Sequence, residues 1–140
     1  YRLAIPQAPD SILETHESHH DVDLNPECRL VLGPESASRK AVKRAGLAMR
    51  DIDVVEINEA FGSHAVASIC QLEMRMAKVN IGGSISIGHP LSATGARNTA
   101  RAAQIMKREG KHVALATQYF GGGQGITTVI EAVRLPGKMM

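Results

Sequence analysis

The sequence predicts an α/β domain. Three observations carry that class. Short β-branched runs of strand length occur at Asp53–Ile57, Val113–Thr117 and Ile126–Val133. Longer stretches with helical spacing lie between them. Glycine and proline sit at the joints, where helices start and stop. Strands that alternate with helices build sheets covered by helices. Four or five strands and three helices are expected.

The elements follow in order. Pro6, Pro9, Pro26 and Pro34 punctuate residues 1–33, which read as poorly defined loop or linker. Ser11–Ser18 could hold one strand there, and Arg29–Leu32 is a short apolar run. The domain proper is placed at 34–140. Its first helix runs from Glu35 to Ala45, with Pro34 suited to the first turn and Gly46 to the stop. Ala37, Ala41 and Ala45 share one face, and Arg39, Lys40, Lys43 and Arg44 face water. Asp53–Ile57 is a buried strand ended by Asn58. A second helix runs from about Phe61 to Met74, with Phe61, Ala65, Ile69 and Leu72 at helical spacing. Ser84-Ile85-Ser86-Ile87 alternates, which predicts a short strand. A third helix spans about Ala93 to Arg108 and stops at Gly110. Its small residues, among them Gly95, Ala96, Ala100 and Ala103, make it slim enough to approach other backbone closely.

Composition narrows the function classes. The chain has 140 residues, 44% hydrophobic and 21% charged, which is ordinary for a soluble domain. A net charge of +2 with interspersed signs gives no polybasic stripe for nucleic acid. No apolar run reaches the roughly 20 residues that a membrane helix requires. Aromatic residues are 3%, so small side chains must do much of the packing. Cys28 and Cys70 form no disulfide framework by count or spacing, so a reducing, cytoplasmic setting is expected. The first residue is Tyr1 and not Met, which fits a fragment, a processed product or an incomplete sequence.

Three segments carry candidate chemistry. His89 stands between Gly88 and Pro90, just before a helix, so its side chain is aimed by the backbone. A histidine there can exchange a proton near neutral pH or donate to a developing oxyanion. It could equally be a capping or core histidine. Asn58 ends a strand, and ligands in open α/β sheets gather at such ends. Its amide could hold a water, or it could simply cap the next helix. Gly121-Gly122-Gly123-Gln124-Gly125 lies between two strands and could offer backbone N–H groups to a ligand, or form a plain turn.

Taken together, these segments resemble the C-terminal half of the thiolases over about residues 21–133. The match is tightest from Asp53 to Phe61, which includes Asn58-Glu59-Ala60-Phe61, and from Gly82 to Gly125, which includes Gly88-His89-Pro90. The resemblance implies a thiolase-type half-domain, a mixed sheet with helices on both faces. It implies an acyl-CoA acyltransferase that cleaves 3-oxoacyl-CoA with CoA or condenses acyl-CoAs, with CoA as a substrate and no permanently bound cofactor. The acylated cysteine comes from the N-terminal half, so a missing segment or a partner subunit would supply it, in a homo- or hetero-oligomer. The central helices of the two halves pack together, and the helix near Ala93 would take that role. His89 would activate the nucleophile and help form an oxyanion hole, and Asn58 would hold the water of that hole. Ala60 and Phe61 would touch the pantetheine arm, and the Gly121 N–H would serve a second oxyanion hole.

Two departures from the family pattern stand out. Tyr119 occupies the place of the acid/base cysteine, and a phenol is bulkier than a thiol, with an ordinary pKa near 10 against about 8.5. The segment Asn80–Gly82 is one residue short. These leave two alternatives, a non-catalytic CoA- or partner-binding relic and an acyl-CoA aldolase that uses Tyr119. Neither Cys28 nor Cys70 reads as a nucleophile. His16, His19 and His20 lie among Glu14, Glu17, Asp21 and Asp23, which reads as a solvated loop and not a metal site. Met74 and Met76 are expected to pack.

Overall fold

The fold is seen in a computed structural model that describes residues 15–18, 33–81, 83–120 and 124–132. Most of the segment 1–33 thus lies outside the described residues, as do His19, His20, Cys28, Gly82, Gly121 and Val133. The elements are β1 (Thr15–Ser18), α1 (Gly33–Arg44), β2 (Val54–Ile57), α2 (Gly62–Gln71), β3 (Val79–Ile81), α3 (Ser84–Ile87), α4 (Thr94–Glu109), β4 (Val113–Phe120) and β5 (Gln124–Glu131). One sheet holds all five strands in the order β1-β5-β4-β2-β3. β2 runs parallel to β3 and β4, while β5 is antiparallel to β4 and to β1. The sheet is therefore mixed.

Side chains alternate across the strands, so each face has its own core. Val55, Ile57, Leu115 and Val129 point to one side and meet Ala41 and Val42 of α1 and Ala65 and Ile69 of α2. Val54, Ala114, Ala116 and Ile130 point to the other and meet Ala102, Ile105 and Met106 of α4. Helices thus cover both faces, as expected. Small residues let α1 sit close: Ala37 and Ala41 have no exposed surface. Below α1, the hydroxyls of Ser38 and Thr127 lie 3.2 Å apart and those of Thr127 and Thr117 2.7 Å apart. These groups satisfy one another in a buried place where an unpaired hydroxyl would be costly.

Four expectations are corrected. Ser84–Ile87 is a single helical turn and not a strand. The Ile87 N–H and the Ser86 hydroxyl both bond to the Gly83 carbonyl, and the Ser84 hydroxyl is held by Asn58, so the segment curls and leaves Ile85 and Ile87 exposed. The third parallel strand is instead β3, only three residues long. α2 ends at Gln71 and not Met74, and Phe61 stands outside the buried face, 64% exposed. Met76 is 58% exposed and does not pack, whereas Met74 lies against the α1–α2 core.

α4 leaves one flank open. Ala96 and Ala100 are exposed, and Thr99 and Ala103 are half-buried. Beside them, a groove of about 490 Å³ runs over Ala116, Gln118, Ile126 and Thr128 of β4 and β5.

Candidate active site

The carboxyl ends of the three parallel strands meet at one edge of the sheet. Asn58 and Glu59 follow β2, Gly83 and Ser84 follow β3, and Tyr119 lies near the end of β4. The Asn58 N–H donates to the Thr117 carbonyl at 3.0 Å, so the two strand ends are locked together.

Asn58 is 2% exposed. Its Oδ1 accepts the Ser84 hydroxyl at 2.8 Å, which fixes the orientation of the amide. Among the described residues, its Nδ2 has no hydrogen-bond partner. A buried amide donor without a partner is an uncommon and costly feature. Glu59, 6% exposed, accepts the Gly83 N–H at 2.6 Å. Ala60 is half-buried beside them, with its N–H on the Asn58 carbonyl at 3.2 Å. A Cβ on Gly83 would come within 2.6 Å of Glu59 Oε2 and 3.0 Å of Asn58 Oδ1, so an added side chain must push the buried Glu59 carboxylate aside.

Beyond α3, Gly88 adopts a φ of 82°, a conformation that favours glycine. This turn presents His89, whose side chain is exposed. His89 Nδ1 lies 2.5 Å from the Thr94 hydroxyl at the start of α4. No direct hydrogen bond joins His89 to Asn58. The two residues are linked through Ser84, the short turn of α3 and Gly88.

Tyr119 is half-buried on the α2 side of the sheet. Its ring centroid is 5.6 Å from that of His64, and His64 is 5.0 Å from Phe61 at 73°. Three rings thus line one flank of this edge. Gly121 lies outside the described residues. Cys70 is a free, exposed thiol in the last turn of α2. At 1.5 Å per residue it is roughly 14 Å along the helix from Phe61.

On the opposite face, below the edge, Glu56 is wholly buried. Asn80 donates to its Oε2, and Arg101 Nε is 3.9 Å away. Burial pushes its carboxyl above the ordinary range, against the opposing pull of Asn80 and Arg101. Among the described residues, no group of three His, Cys, Asp or Glu side chains could hold a metal ion, and no helix is long and apolar enough to cross a membrane.

Sequence reasoning did not single out Glu59, His64, Ser84, Thr94 or Glu56. Thr94 carried a signal, since Ser and Thr mark helix starts. Its hydroxyl, however, turns to His89 and not to a helix N–H.

A family model for the thiolase C-terminal domain matches residues 11–132. The chain belongs to the thiolase family, as a C-terminal thiolase domain. It is 45% identical over 105 residues to a 3-ketoacyl-CoA thiolase of Pseudoalteromonas atlantica, covering 72% of this chain and 27% of that protein. It is 40% identical over 102 residues to the human mitochondrial 3-ketoacyl-CoA thiolase, covering 72% and 26%. A solved structure of that human thiolase in complex with CoA superposes with a TM-score of 0.76 at 36% identity, covering 86% of this chain and 29% of that one. This thiolase domain therefore spans only about a quarter of the length of the curated relatives it matches. Those relatives include bacterial and mitochondrial proteins, so thiolase membership alone fixes no compartment.

Proposed function

We propose that this domain is the C-terminal half of an acyl-CoA acyltransferase of thiolase type. The reaction is thiolytic cleavage of a 3-oxoacyl-CoA by CoA, or the reverse condensation of two acyl-CoAs. A cysteine from an N-terminal half, in the same polypeptide or in a partner subunit, attacks the 3-oxo carbon; the C2–C3 bond breaks, acetyl-CoA leaves as its C2 takes a proton, and the shortened acyl group on sulfur passes to the thiol of CoA. His89 takes the proton of that cysteine and then donates to the thioester oxygen as it gains charge. Asn58 Nδ2 holds a water in the same oxyanion hole. The Gly121 N–H serves the second hole. Ala60 and Phe61 meet the pantetheine arm, and Tyr119 stands where a second cysteine would exchange a proton with the substrate carbon.

The observation that carries this reading is the orphan amide of Asn58. Its acceptor is fixed by Ser84 and its donor is buried without a partner among the described residues, at the strand edge where ligands of open sheets bind. The exposed Phe61 supports the pantetheine assignment. The open flank of α4 and its adjoining groove support packing against a second half. The CoA held by the human relative supports CoA as the substrate. A reducing compartment is part of the proposal, consistent with the free thiol of Cys70.

One observation favours a second reading. Tyr119 packs against an imidazole, His64, a neighbour able to exchange protons. This suits an acyl-CoA aldolase in which Tyr119 is the acid/base.

The native mass and subunit composition of the protein from its source test the main reading. A longer polypeptide, or a stoichiometric second chain bearing a reactive cysteine, is expected. A lone 15.0 kDa species without thiolysis would point to a binding relic.

A further inference from the structure

We propose that Thr94 is a positioning residue that fixes the tautomer of His89. The proposal rests on the reading of His89 as the proton acceptor. Among the described residues, the Thr94 hydroxyl has two polar neighbours: His89 Nδ1 at 2.5 Å and the Pro90 carbonyl, to which it donates, at 3.5 Å. A hydroxyl carries one proton. With that proton directed at Pro90, the oxygen can only accept from the ring. The proposed arrangement therefore puts the imidazole proton on Nδ1 and leaves the lone pair on Nε2, the tautomer setting which atom donates across the 2.5 Å contact. The tautomer of a histidine is set by the bond its other nitrogen makes.

The arrangement is rigid. Thr94 is 2% exposed and lies in the first turn of α4, and its β-branched side chain has few rotamers. One turn further, Arg97 NH1 donates to the Gly88 carbonyl at 2.9 Å. That contact holds the peptide on which His89 is mounted. Two successive turns of α4 thus hold the ring and its backbone independently. In the proposed reaction, a ring locked as Nδ1–H presents Nε2 ready to take a thiol proton. A ring free to hold its proton on Nε2 is in the wrong form for part of the time.

The test is imidazole proton–nitrogen correlation NMR on the full chain at alkaline pH, above the ordinary titration range of imidazoles. His89 is identified by the signals that vanish in His89→Gln. The expected result is a protonated-type Nδ1 and an unprotonated-type Nε2. Thr94→Val moves both shifts toward the averaged values of a mixed tautomer, and Thr94→Ser restores them. A wild-type His89 that carries its proton on Nε2 overturns the proposal. So does an unchanged pattern in Thr94→Val. If Thr94→Val does not fold, the wild-type and Thr94→Ser spectra still decide. Failure of the underlying reading looks different: the Nδ1–H pattern is present and responds to Thr94, yet the assembled enzyme shows no thiolysis.

Discussion

Glu59 Oε2 accepts the Gly83 backbone N–H at 2.6 Å and so ties the end of β2 to the loop that leads to His89. Both partners are buried. Glu59→Ala leaves that N–H without an acceptor and is expected to cost about 1–3 kcal/mol. Gly83→Ala drives a Cβ against Glu59 and Asn58 and is expected to cost a similar amount, about 1–3 kcal/mol. Urea denaturation of the two variants checks this. Midpoints equal to the parent would show that the tie is dispensable.

Two carboxylates give stability opposite pH slopes. Burial alone would raise the carboxyl of Asp53, but the His112 and Val113 N–H groups, with Lys78 and Lys111, bring it below 3.8. Its contribution is present above about pH 3.8 and is lost as pH falls through its lower folded value. The carboxyl of Glu56 is raised above 4.5, first by burial. Its contribution is complete below about pH 4.5 and is lost as pH rises through its folded value. Stability of Glu56→Gln relative to the parent is therefore expected to improve as pH rises from the acid side toward neutrality. Urea titrations across that range measure it, and a difference that stays flat with pH would contradict it.

Tyr119 separates the two enzymatic readings. A well-placed acid/base group contributes about 10²–10⁴-fold. Tyr119→Cys, in the enzyme assembled with its nucleophile-bearing half, is expected to raise thiolysis by up to that range. Tyr119→Phe has no retro-aldol activity to abolish. Cleavage of a 3-hydroxyacyl-CoA that is lost in Tyr119→Phe would instead favour the aldolase.

The open flank of α4 makes a separable claim. Ala100 is exposed, and Leu is nearly as good a helix former as Ala, so Ala100→Leu is expected to leave the stability of this chain within about 0.5 kcal/mol. Against a closely packed second half, the added carbons are expected to cost about 1–3 kcal/mol, or roughly 5- to 150-fold in affinity. Sedimentation analysis of the two halves measures this. Unimpaired association would place the contact elsewhere.

The strands and long helices were legible because their signals are local. Pro34, the β-branched run ending at Ile57, and Gly110 each mark an element through the backbone they permit. The Ser84–Ile87 turn was not legible. Four alternating residues fit a strand and a helical turn alike, and the choice was made by Gly83 and by Asn58, 26 residues upstream. β3 escaped because three residues show no period. The principal site residues, Asn58 and His89, were visible through their glycine- and proline-marked surroundings. Their supports were not: Ser84, Glu59 and the His64–Tyr119 contact arise only when distant segments meet. The helix start near Ala93 was legible, but nothing local showed that the Thr94 hydroxyl would serve His89.

The most direct test of the central claim is CoA-dependent thiolysis of a 3-oxoacyl-CoA by the assembled enzyme, with and without His89→Ala. A general base and oxyanion donor in one residue is worth about 10²–10⁴-fold or more. The expected result is measurable turnover in the parent and a loss of at least that size in His89→Ala, with the fold intact by circular dichroism. Turnover that survives His89→Ala unchanged would contradict the account, because the residue at its centre would then play no part in the chemistry.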